Sequence, residues 1–390
     1  MNKLPNGWQI KTLGDIFLIE RGSSPRPIKS FLTNDNNGIN WIKIGDAKNN
    51  SKYIYQSAEK IRPEGKKYSR FVEIGDLILS NSMSFGRPYI MKTIGCIHDG
   101  WVVLRKILKN IIYEEYAYYI LSSNQVHSEF SKLAAGSVVK NLSIDRIKQV
   151  YIPIPPLDEQ KRIASALSKI DAYLENTIKL IEEKERFKRG IAKKLLTCKE
   201  GENIPEARFK GFEDEWKTKT LENICKNIKT GKLNANAMEK DGQYRFYTCA
   251  KDYYKINTYA FDGEAILISG NGAHVGYVHY YNGKFNAYQR TYVLMDFTEN
   301  ILFIKYYLDI HLKHKINIEN NKGNIPYIVL NTIKDMEIKF PSLEEQEKIG
   351  GYLSLLDKEI DNLKKQKELI KEMKRGAMQK LLSGEVRLLE

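Results

Sequence analysis

The chain has 390 residues, 42% hydrophobic and 28% charged, with a formal net charge of +14 and a pI near 9.2. That is enough apolar material for two or three domain cores, which excludes a globally disordered chain, and the charge favours polyanionic partners such as nucleic acid. No run approaches the roughly 18 apolar residues of a membrane span, and the first residues lack the apolar stretch of a signal peptide, so a cytoplasmic protein is expected.

In chain order, the first region opens with LPNGWQIKTLGDI at Leu4 and continues through short β-branched and aromatic runs, FVEIGDLILS at Phe71 and WVVLRK at Trp101, separated by turn residues. These predict strands, and EEYAYYILSS at Glu114 predicts a helix. From Pro155 the pattern changes. Ile163, Leu167, Ile170, Leu174 and Ile181 recur at heptad spacing, with Thr177 filling the missing position, and the stripe is flanked by Lys and Glu. A stripe so narrow predicts a long helix that seeks a partner helix more than a globular core. A second region of short runs follows, with EAILISG at Glu264 and TYVLMDF at Thr291 as strands and LFIKYYLDIH at Leu302 as a helix. The chain closes on a second long helix whose seam is Ile349, Leu353, Leu356, Ile360, Leu363 and Ile370. At about 1.5 Å per residue each long helix reaches about 60 Å, and the two can pair with each other.

The second half repeats the first. PPLDEQKRIASALSKIDAYL at Pro155 returns as FPSLEEQEKIGGYLSLLDKEI at Phe340, KRG at Lys188 returns at Lys374, and the offset (343 − 157 = 186) never slips. WQIKTLGDI at Trp8 also resembles WKTKTLENI at Trp216. Between these anchors the likeness fades, as if the scaffold had been kept and the interior changed. A period of this size marks a duplicated domain rather than a solenoid. The expected fold is mixed α+β: two α/β domains, residues 1–154 and 200–340, joined by two long coiled-coil helices, 155–199 and 341–390, as a pseudo-twofold internal repeat. Gly350 and Gly351 stand where the first helix has Ala164 and Ser165, which predicts a looser helix end or a close approach there.

Motifs for chemistry are missing. There is no GxxxxGK[ST] phosphate loop and no NPP[FY] tetrapeptide, which argues against an ATPase and an adenine methyltransferase. His311 and His314 could share a helix face, but no carboxylate or Cys accompanies them, and a solvated face is expected. Cys96, Cys198, Cys225 and Cys249 show no CxxC spacing and are expected to be free thiols, with neither disulfide nor zinc site. No catalytic residue and no metal ligand is assigned.

With these observations together, the chain resembles the specificity subunits of type I restriction and modification systems. The resemblance rests on PPLDEQKRIA and FPSLEEQEKI as the starts of two conserved helices, on IPEARFKGFEDEW at Ile204 as the linker into a second recognition domain, and on LPNGWQIKTLGDI. It implies two target recognition domains, each reading one half of a split asymmetric site in double-stranded DNA. It also implies an antiparallel helix pair that acts as spacer and docks two methyltransferase subunits, with restriction or motor subunits in the full complex. The chain itself would bind no cofactor, whereas the partners would use S-adenosylmethionine, ATP and Mg. The competing reading is a non-catalytic coiled-coil adaptor that displays two protein-binding domains.

Candidate DNA contacts come from turns that combine basic, amide and aromatic residues, because Arg and Lys meet phosphates while Arg, Asn and Gln read base edges. In the first domain these are Arg21, Arg26, Lys29, Lys43, Asn81, Ser82, Arg87 and Lys140. In the second they are Lys229, Lys232, Tyr247, Lys251, Asn271, His274, Tyr277 and Arg290. SNSMSFGR at Ser80 and SGNGAHVGY at Ser269 stand out, since each follows a predicted strand and joins glycine to polar side chains. Lys161, Arg162, Lys348 and the KRG tripeptides are expected either in solvent or against a methyltransferase.

Overall fold

The computed structural model describes residues 4–47, 51–81, 86–108, 110–134, 143–319 and 326–388. Its contacts divide the chain into two compact units, residues 1–176 with 367–390 and residues 177–366. Both long helices, Leu157–Leu196 and Leu343–Ser383, contribute to both units.

In unit 1 a five-stranded sheet runs Phe17–Arg21, Trp101–Lys106, Leu77–Ser80, Pro88–Met91, Tyr53–Ile54, with the last strand parallel to its neighbour. In unit 2 the corresponding order is Cys225–Thr230, Thr291–Phe297, Phe261–Ser269, Val278–Ala287, Tyr244–Tyr247, again with a parallel fifth strand, and Tyr254–Ile256 adds a sixth. The same connectivity recurs although the sequences between the anchors have diverged. Unit 1 carries a further five-stranded sheet, built from segments between Leu32 and Ile97, with its own small core of Trp41, Ile61 and Cys96. Among the described residues unit 2 has no counterpart of this second sheet. Each unit also has a two-stranded ribbon, Gln9–Thr12 against Tyr151–Ile154 and Lys217–Thr220 against Glu337–Phe340, which leads directly to a long helix.

The helix starts are fixed by the repeated Glu-Gln pair. Gln160 donates from Nε2 to the Pro155 carbonyl at 2.9 Å, and its Oε1 accepts from the Tyr113 amide at 2.8 Å. Gln346 does the same with the Pro341 carbonyl at 3.0 Å and the Asn300 amide at 3.0 Å. Each glutamine thereby ties the first turn to the start of the helix packed beside it, Glu114–Leu121 or Ile301–Glu319. The neighbouring glutamates hold arginines. Glu159, 1% exposed, accepts two bonds from Arg387 (3.1 and 2.7 Å) and one from the Trp8 indole at 3.0 Å. Glu345, fully buried, accepts two from Arg208 at 2.8 and 2.7 Å. Within unit 1 the final residues thus fill the role that the Ile204 linker fills within unit 2.

In unit 1 the start of the first long helix lies against the end of the second, and in unit 2 the end of the first lies against the start of the second, so each pairing is antiparallel. Ile163, Leu167, Ile181, Ile349, Leu353, Leu356, Ile360 and Ile370 are buried, and Ile170, Leu174 and Leu363 are half-buried. The seam is not only helix against helix. Ile163 and Leu167 belong to one core with Tyr116, Ile120, Leu381 and Leu382, and Ile349 and Leu353 to another with Phe303, Tyr307 and Leu196. Each such aliphatic side chain contributes about 1.5–3 kcal/mol when buried.

A repeated polar lock flanks the seam. Lys374 lies 2.5 Å from Asp171, whose other oxygen accepts from the Tyr119 hydroxyl at 2.7 Å. Lys188 pairs with Asp357, which accepts from the Tyr306 hydroxyl at 2.6 Å. The KRG lysines are therefore half-buried, each bound to a carboxylate of its own unit. Arg162 likewise donates to the Leu388 carbonyl at 2.6 Å, and the Lys348 ammonium lies 5.6 and 5.4 Å from the Phe209 and Phe212 rings. Lys161 remains exposed, 3.4 Å from Asp158.

The adjacent glycines separate into two cases. A Cβ on Gly350 would lie 2.9 Å from the Phe303 amide nitrogen and 2.9 Å from Asn300 Oδ1, whereas a Cβ on Gly351 would meet nothing within 4 Å. Gly350→Ala should lose about 1–3 kcal/mol by overpacking, and Gly351→Ala should gain up to about 1 kcal/mol of helix propensity. Urea unfolding of the two full-length variants checks this. Equal effects would show that the close approach of the Asn300 turn does not constrain the helix.

Candidate nucleic-acid interface

In each unit three loops meet at one end of the main sheet, and they are held together by backbone hydrogen bonds. In unit 1, the Gly22 amide donates to the Trp101 carbonyl at 2.8 Å, Ser23 to Ile97 at 3.2 Å and Asn81 to Gly100 at 2.8 Å. In unit 2, Gly231 donates to Thr291 at 3.2 Å, Gly270 to Arg290 at 2.8 Å and Gln289 to Leu233 at 2.9 Å. A Cβ on Gly22 would collide with the His98 carbonyl and one on Gly231 with the Ala287 carbonyl, so both positions require glycine. The two loops singled out in the sequence are equivalent. Ser80 donates to Arg87 and receives from Gly86 at 3.0 and 2.7 Å, and Ser269 donates to Tyr277 and receives from Gly276 at 3.0 and 2.8 Å.

Most of the candidate residues lie on or beside these clusters. Arg21, Arg26 and Lys29 are exposed on the first loop of unit 1, with Arg21 Nε donating to the Asp99 carbonyl at 3.2 Å and Arg26 3.8 Å from the Asp99 carboxylate. Partial burial works against the Asp99 charge, but the Ser24 hydroxyl at 3.0 Å, His98 and Arg26 outweigh it and hold the carboxyl below its usual range. Burial lowers the His98 pKa, which favours the neutral imidazole, and its Nδ1 accepts from the Gly100 amide at 2.6 Å. The Arg87 guanidinium lies 5.6 Å from the Tyr89 ring. In unit 2, Lys229, Lys232, Lys251 and Arg290 are exposed, and Asn271, His274 and Tyr277 are half-buried on the equivalent loop. Ser82 and Lys140 lie outside the described residues.

Three candidates are corrected. Tyr247 is 2% exposed, its ring packed 5.9 Å from both Tyr281 and Phe285, and is a core residue that a duplex cannot touch. Asn81 is likewise buried, at 2% exposed. Lys43 is paired with Glu59 at 2.5 Å, a contact that competes with any phosphate for its ammonium. His311 also departs from expectation: it stacks 4.3 Å from Tyr307, its Nε2 lies 2.9 Å from the Leu196 carbonyl, and burial lowers its pKa. Among the described residues no cluster of metal-ligating groups occurs, and no helix is long and apolar enough to cross a membrane. All four cysteines are free, with Cys96 and Cys225 buried.

The structure adds residues that the sequence reading passed over. The turn Pro63–Tyr68 is docked on the first loop, where the Ser23 hydroxyl donates to the Tyr68 carbonyl at 3.0 Å and Ser69 returns a bond to the Ser23 carbonyl at 2.7 Å. This brings exposed Arg62, Lys66, Lys67 and Tyr68 beside Arg21 and Arg26. The adjacent Lys66, Lys67 and Tyr68 form a basic and aromatic cluster that could have been noticed; its contact with a loop some 45 residues earlier could not.

Two unlike basic loop clusters, held by equivalent backbone bonds, give each unit a surface suited to a polyanion such as nucleic acid. The chain belongs to the type I restriction modification DNA specificity domain family, whose profile matches residues 5–183 and 213–372. It is 40% identical over 170 residues to the type I restriction enzyme EcoDI specificity subunit of Escherichia coli, a match spanning 43% of this chain and 37% of that protein. It is 24% identical over 422 residues to the type I restriction enzyme MjaIX specificity subunit of Methanocaldococcus jannaschii, covering 100% of this chain and 96% of that one. The crystal structure of a type I restriction-modification S subunit from M. genitalium superposes with a TM-score of 0.63 at 20% identity, over 97% of this chain and 98% of that one. The role of the chain is DNA sequence specificity within a type I system.

Proposed function

We propose that each unit reads one half of an asymmetric, split DNA site, that the long helices set the gap between the halves, and that the chain supplies no catalysis. The observation that carries this reading is the recurrence of one sheet order and one set of backbone-held loops with different side chains at their tips. Two methyltransferase subunits would dock on the helices and use S-adenosylmethionine, and restriction or motor subunits would add ATP- and Mg-dependent cleavage. For docking, the helices offer apolar side chains that no seam uses: Leu180 (41% exposed), Phe187 (52%) and Leu355 (59%) in unit 2, and Leu369 (65%) and Met373 (50%) in unit 1. Exposed large apolar groups on a helix face suit a protein partner.

The purified chain, given duplex DNA, ATP, Mg and S-adenosylmethionine, should neither methylate nor cut, and adenine methylation should appear on adding the methyltransferase. Methylation by the chain after rigorous removal of other subunits would overturn the reading. Leu180→Asp with Phe187→Asp should weaken methyltransferase association at least about tenfold, equivalent to about 1.4 kcal/mol, as read by calorimetric titration. Unchanged association would remove these residues from the docking face.

A further inference from the structure

Near the edge of the unit 2 sheet, where Glu239 bridges to Lys255 of the last strand, Arg245 stands on the strand Tyr244–Tyr247, directly opposite Lys255 on the strand Tyr254–Ile256. Its guanidinium carbon lies 4.2 Å from the Tyr253 ring centroid and 4.3 Å from that of Tyr281, and NH1 donates to the Tyr247 hydroxyl at 3.2 Å. Two aromatic contacts and one anchoring bond restrain the guanidinium and leave other N–H groups of its fork for a ligand. The group opens into a depression of about 430 Å³ lined by Gln243, Tyr244, Arg245, Tyr253, Lys255, Tyr281 and Lys284. Lys284 is exposed, its ammonium 4.6 Å from the Tyr259 ring. Three cations line this depression and no carboxylate does, although acidic residues flank it: Glu239, whose amide donates to the Lys255 carbonyl at 2.8 Å, and Asp262, opposite Lys284 on the neighbouring strand.

Like charges directly opposite across a sheet are destabilising. The aromatic faces and the Glu239 bridged to Lys255 offset part of that cost, and an anion between Arg245 and Lys255, with Lys284 beside the rim, would remove the rest. A planar, pre-oriented guanidinium matches two oxygens of one phosphate, whereas the two flexible ammonium groups act as point charges suited to oxygens rather than to the patterned edge of a base. The depression also adjoins the recognition loops: Tyr247, two residues along the same strand, accepts at its carbonyl from the Tyr288 amide at 2.9 Å, next to Gln289 and Arg290.

We propose that Arg245, Lys255 and Lys284 form a phosphodiester site that grips the DNA backbone beside the half-site read by unit 2, adding affinity without adding sequence preference. The proposal rests on the DNA-reading role given above and names an anchoring site within it. Residues of this kind release counterions on binding, so their removal appears as a shallower dependence of affinity on salt.

The test is a salt titration of full-length chain on an arbitrary-sequence duplex by fluorescence anisotropy, between about 50 and 200 mM. Wild type is compared with Arg245→Gln and with Lys255→Gln/Lys284→Gln; both lysines are exposed, so the second variant does not put the fold at risk. The slope of log K against log salt should flatten by about 0.9 for the first and about 1.8 for the second, so that over the fourfold salt range each loses about 3-fold and about 12-fold less affinity than wild type. The methylated motif of the assembled complex should be identical in all three. Unchanged slopes in both variants overturn the site, as does a motif altered by Arg245→Gln, which would make that arginine a base reader. Inorganic phosphate provides the remaining arm: if it competes in wild type while the duplex slopes stay equal, the depression takes small anions and the backbone assignment falls. Flattened slopes in a complex that methylates no split motif would instead sink the specificity reading and leave this site standing.

Discussion

Exchanging residues 1–150 for the equivalent domain of a relative with another target should replace one half of the methylated motif and leave the other half intact. The three loops of the first cluster, at Arg21–Ser24, Ser80–Arg87 and His98–Trp101, all lie inside that segment. The junction falls just before the strand Tyr151–Ile154, so the incoming domain must supply a partner strand in place of Gln9–Thr12. It must also supply an indole for Glu159 and a hydroxyl for Asp171, the roles of Trp8 and Tyr119. A wrong base pair typically costs about 1–3 kcal/mol, so several mismatches abolish recognition of the old half-site. Sequencing of methylated positions in cells carrying the chimera gives the answer. A change in both halves would show that the two units do not read independently.

Glu345→Ala should destabilise unit 2 by about 3–5 kcal/mol. The carboxylate is fully buried and holds both arms of the Arg208 guanidinium, which is itself 13% exposed. Removing one member of such a pair leaves the other charge without compensation, at about 3–5 kcal/mol, whereas replacing both by apolar groups of similar size is often near neutral. Urea unfolding of Glu345→Ala against Glu345→Leu/Arg208→Met separates these cases. A loss below about 1 kcal/mol in the single variant, the range of a surface pair, would show that the clamp does not hold the linker. The equivalent clamp in unit 1 adds a pH signature. Burial raises the Glu159 pKa, but Arg387 and the Trp8 indole outweigh it and hold the carboxyl below its ordinary 4.5. A depressed carboxyl contributes stability that is present above the ordinary value and lost as pH falls through the lowered one. Unit 1 should therefore loosen on acidification below about pH 4.5, and Arg387→Met should flatten that limb.

The repeat was the most legible feature, because it depends on local pattern alone. Heptad spacing located both helices and their seam, and strand-then-glycine patterning located the Ser80 and Ser269 loops. What sequence could not show depends on tertiary contact. Tyr247 and Lys43 look like any tyrosine or lysine near a turn until Phe285 and Glu59 are brought beside them. The Glu-Gln pairs were visible as repeated letters, but their purpose was hidden because the partners break the register: Arg387 lies 179 residues after Arg208 (387 − 208 = 179), not 186. Arg245 escaped notice because the tyrosines that frame it, Tyr253 and Tyr281, sit on two other segments.

The loop clusters are fastened by main-chain amides and carbonyls at Gly22, Asn81, Gly231 and Gly270, bonds that every residue type except proline can make. Shape and lettering are thereby uncoupled: outside the obligatory glycines, the exposed loop side chains can be exchanged without unfolding the platform that presents them. Such a platform can change its loop chemistry in one unit by a few substitutions while the fold of both units is kept.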